Sequence, residues 1–173
     1  PVAYRLQRNG VTISYRNAGS TLTYTDQQLV PGTAYTYTVK LIDARETLSL
    51  QVHPSTDGPG FRAKNECWVV LEAPNDAFLY AGTSGDLSRS ELVSRLEKGD
   101  VSVLARIPVS PGDVVVIPAG TVHAITAGLV IAEIQQASDT TYRLFDWGRV
   151  GLDGKPRELR IQLGREPLKP GIV

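Results

Sequence analysis

Short runs in which apolar and polar residues alternate dominate the chain, and a period of two marks half-buried strands. Residues 4–8 and 11–15 flank Asn9-Gly10, a dipeptide suited to the two φ > 0 positions of a type I′ hairpin turn. Residues 21–25 are β-prone, and after Pro31-Gly32 the residues Tyr35, Tyr37 and Val39 alternate onto one face. Leu48, Leu50 and Val52 then alternate with Ser49, Gln51 and His53 up to Pro54, where a Ser/Gly/Pro-rich loop runs to residue 60. Residues 64–72 and a shorter stretch at 77–81 follow as strands. One helix is predicted from Ser88: Ser88-Arg89-Ser90-Glu91 fits a capping box, Leu92, Val93 and Leu96 form an apolar stripe, and Gly99 ends it. Residues 101–107 are expected to add a further turn. Strands are predicted at 113–117 and 129–135, with Pro118-Ala119-Gly120 as a tight turn, and an extended stretch covers 140–146. Beyond Arg160 the Pro/Gly-interrupted tail is expected to fray. One helix among many short strands predicts a mainly all-β barrel or sandwich.

Composition narrows the function. Eighteen Lys+Arg balance eighteen Asp+Glu, which argues against a chain built to coat nucleic acid or an anionic membrane. The apolar runs fall far short of the roughly 20 residues that span a bilayer, and no secretory leader opens the sequence. A single cysteine, Cys67, excludes an internal disulfide and a thiolate metal site. With 173 residues and no Met, even at position 1, the chain is expected to be part of a longer gene product.

The first forty residues resemble the later half of a fibronectin type III domain, through Arg8-Asn9-Gly10, Tyr24-Thr25-Asp26 and the Leu29-Val30-Pro31-Gly32-Thr33-Ala34-Tyr35 corner. The division expected from this is a fibronectin-like segment at 1–38, a second domain at 39–162 and a tail at 163–173.

Only two histidines occur. His53 follows Gln51 by two residues, so both side chains leave the same strand face. His123 closes a strand and Pro/Gly turn in which Gly112, Pro118, Gly120 and His123 keep the spacing of the second cupin motif. Resemblance to cupins implies a small jelly roll around a metal. Glu66 is the leading further ligand, on a face it shares with Lys64 and Trp68. Two imidazoles, a carboxylate and an amide oxygen suit Zn²⁺, one ion per chain, with Mn²⁺, Fe²⁺ or Co²⁺ as other ions such a shell accepts.

From about residue 39 to 161 the sequence resembles type I mannose-6-phosphate isomerases in their short bacterial form. The likeness runs through Val39-Lys40-Leu41-Ile42-Asp43, Leu50-Gln51-Val52-His53-Pro54, Lys64-Asn65-Glu66-Cys67-Trp68, Ala132-Glu133-Ile134-Gln135-Gln136, Ser138-Asp139-Thr140-Thr141-Tyr142-Arg143 and Gly154-Lys155-Pro156-Arg157-Glu158-Leu159. It implies zinc held by Gln51, His53, Glu66 and His123. It also implies a catalytic arginine at Arg143, pocket lysines at Lys64 and Lys40, a pocket carboxylate at Glu133 and a substrate-holding serine at Ser49. The implied activity interconverts mannose 6-phosphate and fructose 6-phosphate through a cis-enediol, in the cytoplasm, with no nucleic-acid or membrane partner. The family's segments before and after this stretch are not present, so impaired turnover is one expectation. The competing readings are a metallo-cupin that binds sugar or sugar phosphate without turnover, and an interaction protein carried by the fibronectin-like part. Trp68, Trp147 and Cys67 are read as packing residues, and residues 155–160 as a solvated face.

Overall fold

The computed structural model describes residues 3–6, 12–17, 20–25, 32, 37–151 and 153–171. The chain divides into two compact units, Pro1–Tyr35 and Thr36–Val173. In the first, β1 (Ala3–Leu6), β2 (Thr12–Asn17) and β3 (Ser20–Thr25) form an antiparallel sheet in that order. Leu6 pairs with Ile13 and Asn17 with Ser20. The expected Asn9-Gly10 turn and, apart from Gly32, the 29–35 corner lie outside the described residues.

The second unit holds two antiparallel sheets. One has the order β4-β11-β6-β9, from β4 (Tyr37–Ala44), β6 (Glu66–Glu72), β9 (Val114–Ile117) and β11 (Leu129–Gln136). The other has the order β12-β5-β10-β7-β8, from β5 (Leu50–Val52), β7 (Phe78–Thr83), β8 (Leu104–Pro108), β10 (His123–Ile125) and β12 (Tyr142–Phe145). Apart from β7 and β8, neighbours in these orders are not consecutive in sequence, as in a cupin-type jelly roll.

Side-chain parity sorts the second sheet into two faces. Leu50, Val52, Tyr80, Ala124 and Leu144 point outward and pack against Leu92, Val93 and Leu96 of α1 (Arg89–Glu97). Leu79, Ala81 and Ile125 point inward and meet Trp68, Val70, Ile117 and Ile131 of the first sheet. Sheet, sheet and helix thus form three layers with two apolar cores. Each fully buried leucine of α1 contributes about 1.5–3 kcal/mol through burial. The helix starts and stops as its sequence dictates: Ser88 accepts a hydrogen bond from the Glu91 amide at 3.2 Å, and Gly99 adopts φ 73°. No helix of the described residues is long and apolar enough to cross a membrane.

Two expectations are corrected. Residues 104–108 form β8, not a helical turn, because Gly99 and Asp100 stop α1 and β7 offers a free edge for pairing. The tail is docked, not frayed. A short helix α2 (Ile161–Arg165) packs on β12, Leu168 is fully buried, and the Lys169 amide bonds Gly120 O at 2.9 Å.

Candidate metal centre

Apolar side chains fill the inter-sheet space toward one end, and polar ones collect at the other. The polar end gathers the start of β6 (Glu66), the start of β10 (His123), the residue after β5 (His53) and the last turns of β11 (Glu133, Gln135). Register completes the set. Arg143, Gln51 and His123 lie in one row across β12, β5 and β10. Lys40, Glu133 and Trp68 lie in a row of the facing sheet, and Gln135 is paired with Glu66 in the next.

His53, Glu66 and His123 are each almost wholly buried, and their ligand atoms lie within 4.8 Å of one another. His53 Nδ1 is 3.1 Å from Thr140 O, and His123 Nδ1 is 2.9 Å from Thr121 O. A carbonyl only accepts, so each Nδ1 carries a proton, the tautomer whose Nε2 lone pair is free to ligate. Those lone pairs face the Glu66 carboxylate: His53 Nε2 is 3.0 Å from Oε1 and His123 Nε2 is 3.6 Å from Oε2. Neither Nε2 nor Glu66 Oε2 has a hydrogen-bond partner. Acceptors opposed across a buried gap repel one another unless a cation lies between them, and these donors fit a divalent metal.

The electrostatics agree. Burial pushes the His123 imidazole down to about 4, which leaves it neutral and able to ligate at neutral pH. Burial works to raise the Glu66 carboxyl, but its polar neighbours, the Lys64 ammonium among them, outweigh it and keep the group ionised. Glu133 moves the other way: desolvation and the Glu66 charge raise it, only partly offset by Lys40 and Lys64.

The remaining predicted residues take distinct places. Lys64 is buried, with Nζ 3.1 Å from Glu66 Oε1. Lys40 is more exposed, with Nζ 3.4 Å from Glu133 Oε1. Ser49 is buried just before β5, and Gln51 is half-buried and placed beside His123 by register. Arg143 donates from Nη1 to Glu158 O at 3.2 Å, while its Nε is buried without a partner. Burial, then the charges of nearby arginines led by Arg157, lower its guanidinium. Trp68 packs edge-on against His123 at 5.3 Å, Trp147 joins the outer core, and burial pushes the Cys67 thiol up to about 11.

Sequence reasoning passed over three residues. Gln135 accepts from Lys40 Nζ at 3.2 Å and from Lys64 Nζ at 3.3 Å. Its signal was parity, since it stands two residues after Glu133 on the same face. Asn65 accepts from the Ala119 amide at 2.9 Å and donates to Gln136 Oε1 at 2.8 Å, fixing the turn that presents His123. Asp146 is buried between Arg149 and Arg157, each at 2.6 Å. Residues 155–160 are mostly exposed, as expected, with Arg157 alone drawn partly inward by this buried carboxylate.

No family model matches the chain. A mannose-6-phosphate isomerase of Bacillus subtilis is 38% identical over 144 residues, 80% of this chain and 45% of that protein. One of Streptococcus mutans is 39% identical over 137 residues, 76% of this chain and 43% of that protein. The crystal structure of a mannose 6-phosphate isomerase from Bacillus subtilis matches with a TM-score of 0.75 at 30% identity, covering 98% of this chain and 58% of that one. A zinc-bound mannose 6-phosphate isomerase shares the fold at 14% identity, with a TM-score of 0.52. The chain spans about half the length of the relatives it matches. Over most of its own length, then, the chain is similar in sequence and fold to mannose-6-phosphate isomerases.

Proposed function

We propose that this chain carries the zinc-dependent isomerase chemistry that interconverts mannose 6-phosphate and fructose 6-phosphate. The observation that carries the reading is the convergence of His53 Nε2, His123 Nε2 and Glu66 Oε2, all buried and without hydrogen-bond partners. Gln51, in register beside His123, is the fourth residue proposed to hold the ion. A divalent cation supplies a Lewis acid for the carbonyl and hydroxyl oxygens of the sugar.

The chain's own residues supply the rest. Moving hydrogen between C1 and C2 through a cis-enediol needs a group that takes and returns a proton. Glu133 has a carboxyl raised by burial and by Glu66, which brings it nearer the working pH than an ordinary carboxylate. Lys64 and Lys40 offer ammonium groups to the oxygens on which charge develops. Arg143, in the row of Gln51 and His123, presents a planar charged fork to the enediolate or the phosphate. Ser49, buried at the start of β5, is assigned to holding the sugar. Sugar phosphates are intracellular, so the proposal carries a cytoplasmic setting.

The test is conversion of mannose 6-phosphate to fructose 6-phosphate by zinc-loaded protein, beside a chelated sample and His123→Ala. Turnover that chelation and the substitution both abolish is expected. Folded protein that holds one zinc per chain yet converts nothing would overturn the isomerase reading in favour of a sugar-phosphate-binding metallo-cupin.

A further inference from the structure

Gln135 has no part in the chemistry above, yet it is buried at 5% exposure on β11, paired in register with Glu66. Its Oε1 is shared by two ammonium groups, Lys40 Nζ at 3.2 Å and Lys64 Nζ at 3.3 Å. An amide oxygen has two lone pairs, so it can serve both donors at once. Lys40 stands on β4 and Lys64 in the segment before β6, and they have different carboxylate partners, Glu133 for Lys40 and Glu66 for Lys64. Among the described residues, Gln135 is the side chain that hydrogen-bonds both lysines and so ties the two pairs together.

We propose that Gln135 is a positioning residue, which anchors Lys40 and Lys64 to one amide oxygen and so holds both ammonium groups beside the reacting oxygens of a sugar-phosphate substrate. This rests on the isomerase reading. A lysine is a charge on a flexible four-carbon stem, and electrostatic stabilisation of developing charge requires that charge to be in place beforehand. Without the amide oxygen each ammonium keeps only its carboxylate partner and regains freedom of position around it. Lys40 then swings toward solvent, where half of its side chain already lies. Substrate and metal binding survive such a change, while the rate of the chemical step does not.

The experiment compares wild type with Gln135→Met, which keeps the length and removes the acceptor, and Gln135→Glu, which restores an acceptor of the same reach. Zinc content, thermal midpoint, kcat and KM are measured on full-length zinc-loaded protein. NMR of ¹⁵N-lysine-labelled protein follows the ammonium groups of Lys40 and Lys64, whose proton exchange is slowed while they are held. Gln135→Met is expected to lower kcat at least tenfold, leave KM within threefold, keep one zinc per chain and lose the two ammonium signals. Gln135→Glu is expected to recover the signals and part of kcat. Unchanged kcat or unchanged signals in Gln135→Met would overturn the inference, as would a Glu variant no better than the Met variant. Wild-type protein with both signals and no turnover would defeat the isomerase reading, and with it the assigned purpose of the anchor, while leaving the anchoring itself in place.

Discussion

The Lys64–Glu66 pair lends itself to a double-mutant cycle in metal-free protein. Both side chains are nearly fully buried, and Nζ and Oε1 are 3.1 Å apart. With an effective dielectric constant of ~20, their Coulomb attraction is ~5 kcal/mol, most of it offset by the cost of desolvating two charges. Glu66→Gln keeps the shape but removes the charge opposite the Lys64 ammonium, leaving it buried with only neutral amide oxygens, that of Gln135 among them, as partners. Loss of one partner of a buried pair costs ~3–5 kcal/mol, and the retained hydrogen bond points to the lower end, ~3 kcal/mol. That corresponds to a fall in thermal midpoint of ~6–12 °C for a chain of this size. Lys64→Met costs a similar ~3 kcal/mol, since it leaves the Glu66 carboxylate buried without its ammonium partner. Replacing both at once leaves no unpaired charge, so the double variant should return to within ~1 kcal/mol of wild type. Urea unfolding followed by tryptophan fluorescence reads this directly, because Trp68 and Trp147 both belong to the second unit. Single effects that simply add, with a coupling below ~0.5 kcal/mol, would refute the claim that the two charges compensate each other.

Two further predictions use the turn and the acid response of the site. Gly120 has φ 91°, and a Cβ there would lie 2.5 Å from Pro167 O, a backbone atom with little room to give. Gly120→Ala is expected to cost ~2 kcal/mol or more and to weaken zinc retention against a chelator, since the same turn presents His123; an unchanged midpoint with unchanged retention would count against it. In metal-free protein the His123 imidazole titrates at about 4 when folded, against about 6.5 in the unfolded chain. The unfolded chain therefore binds its proton first: this contribution is complete above pH 6.5 and is lost as pH falls toward 4, to a total of ~3 kcal/mol. The lowered Glu66 carboxyl has the same sign, with stability present above about pH 4.3 and lost below it. Urea midpoints at several pH values should show the upper part of this slope flattened in His123→Leu; an equal slope would assign the acid response elsewhere.

The candidate ligands were legible because their spacing is local. Gln51 and His53 share a face through the strand period, Glu66 sits two residues from Lys64, and the Pro118-Ala119-Gly120 turn announces His123. What was not legible depends on which strands are neighbours. Residues 101–107 carry apolar positions compatible with a helical turn or a strand, and pairing with β7 decided between them. The role of Gln135 needs β11 to lie between β4 and β6, so that lysines 95 and 71 residues away reach one oxygen. The docked tail depends on Leu168 finding the outer core and on α2, whose five residues are too few to display a helical period.

Where the site forms follows from the same alternation that builds the core. Along β11, Leu129, Ile131, Glu133 and Gln135 share the inward face, and along β6 Glu66, Trp68 and Val70 do so. Antiparallel pairing sets the polar end of one strand beside the polar end of the other. Leu129, Ile131 and Val70 therefore close one end of the inter-sheet space, and Glu133, Gln135 and Glu66 meet at the opposite end. On the facing sheet β10 runs antiparallel to both β5 and β7, which brings His123 to Gln51 while Ile125 stays with Leu79. A polar residue at a single inward position would be a buried group with an uncompensated cost. Six strands that each place polar residues at the same end share that cost among partners, and among the atoms left without one are the three that converge for a cation.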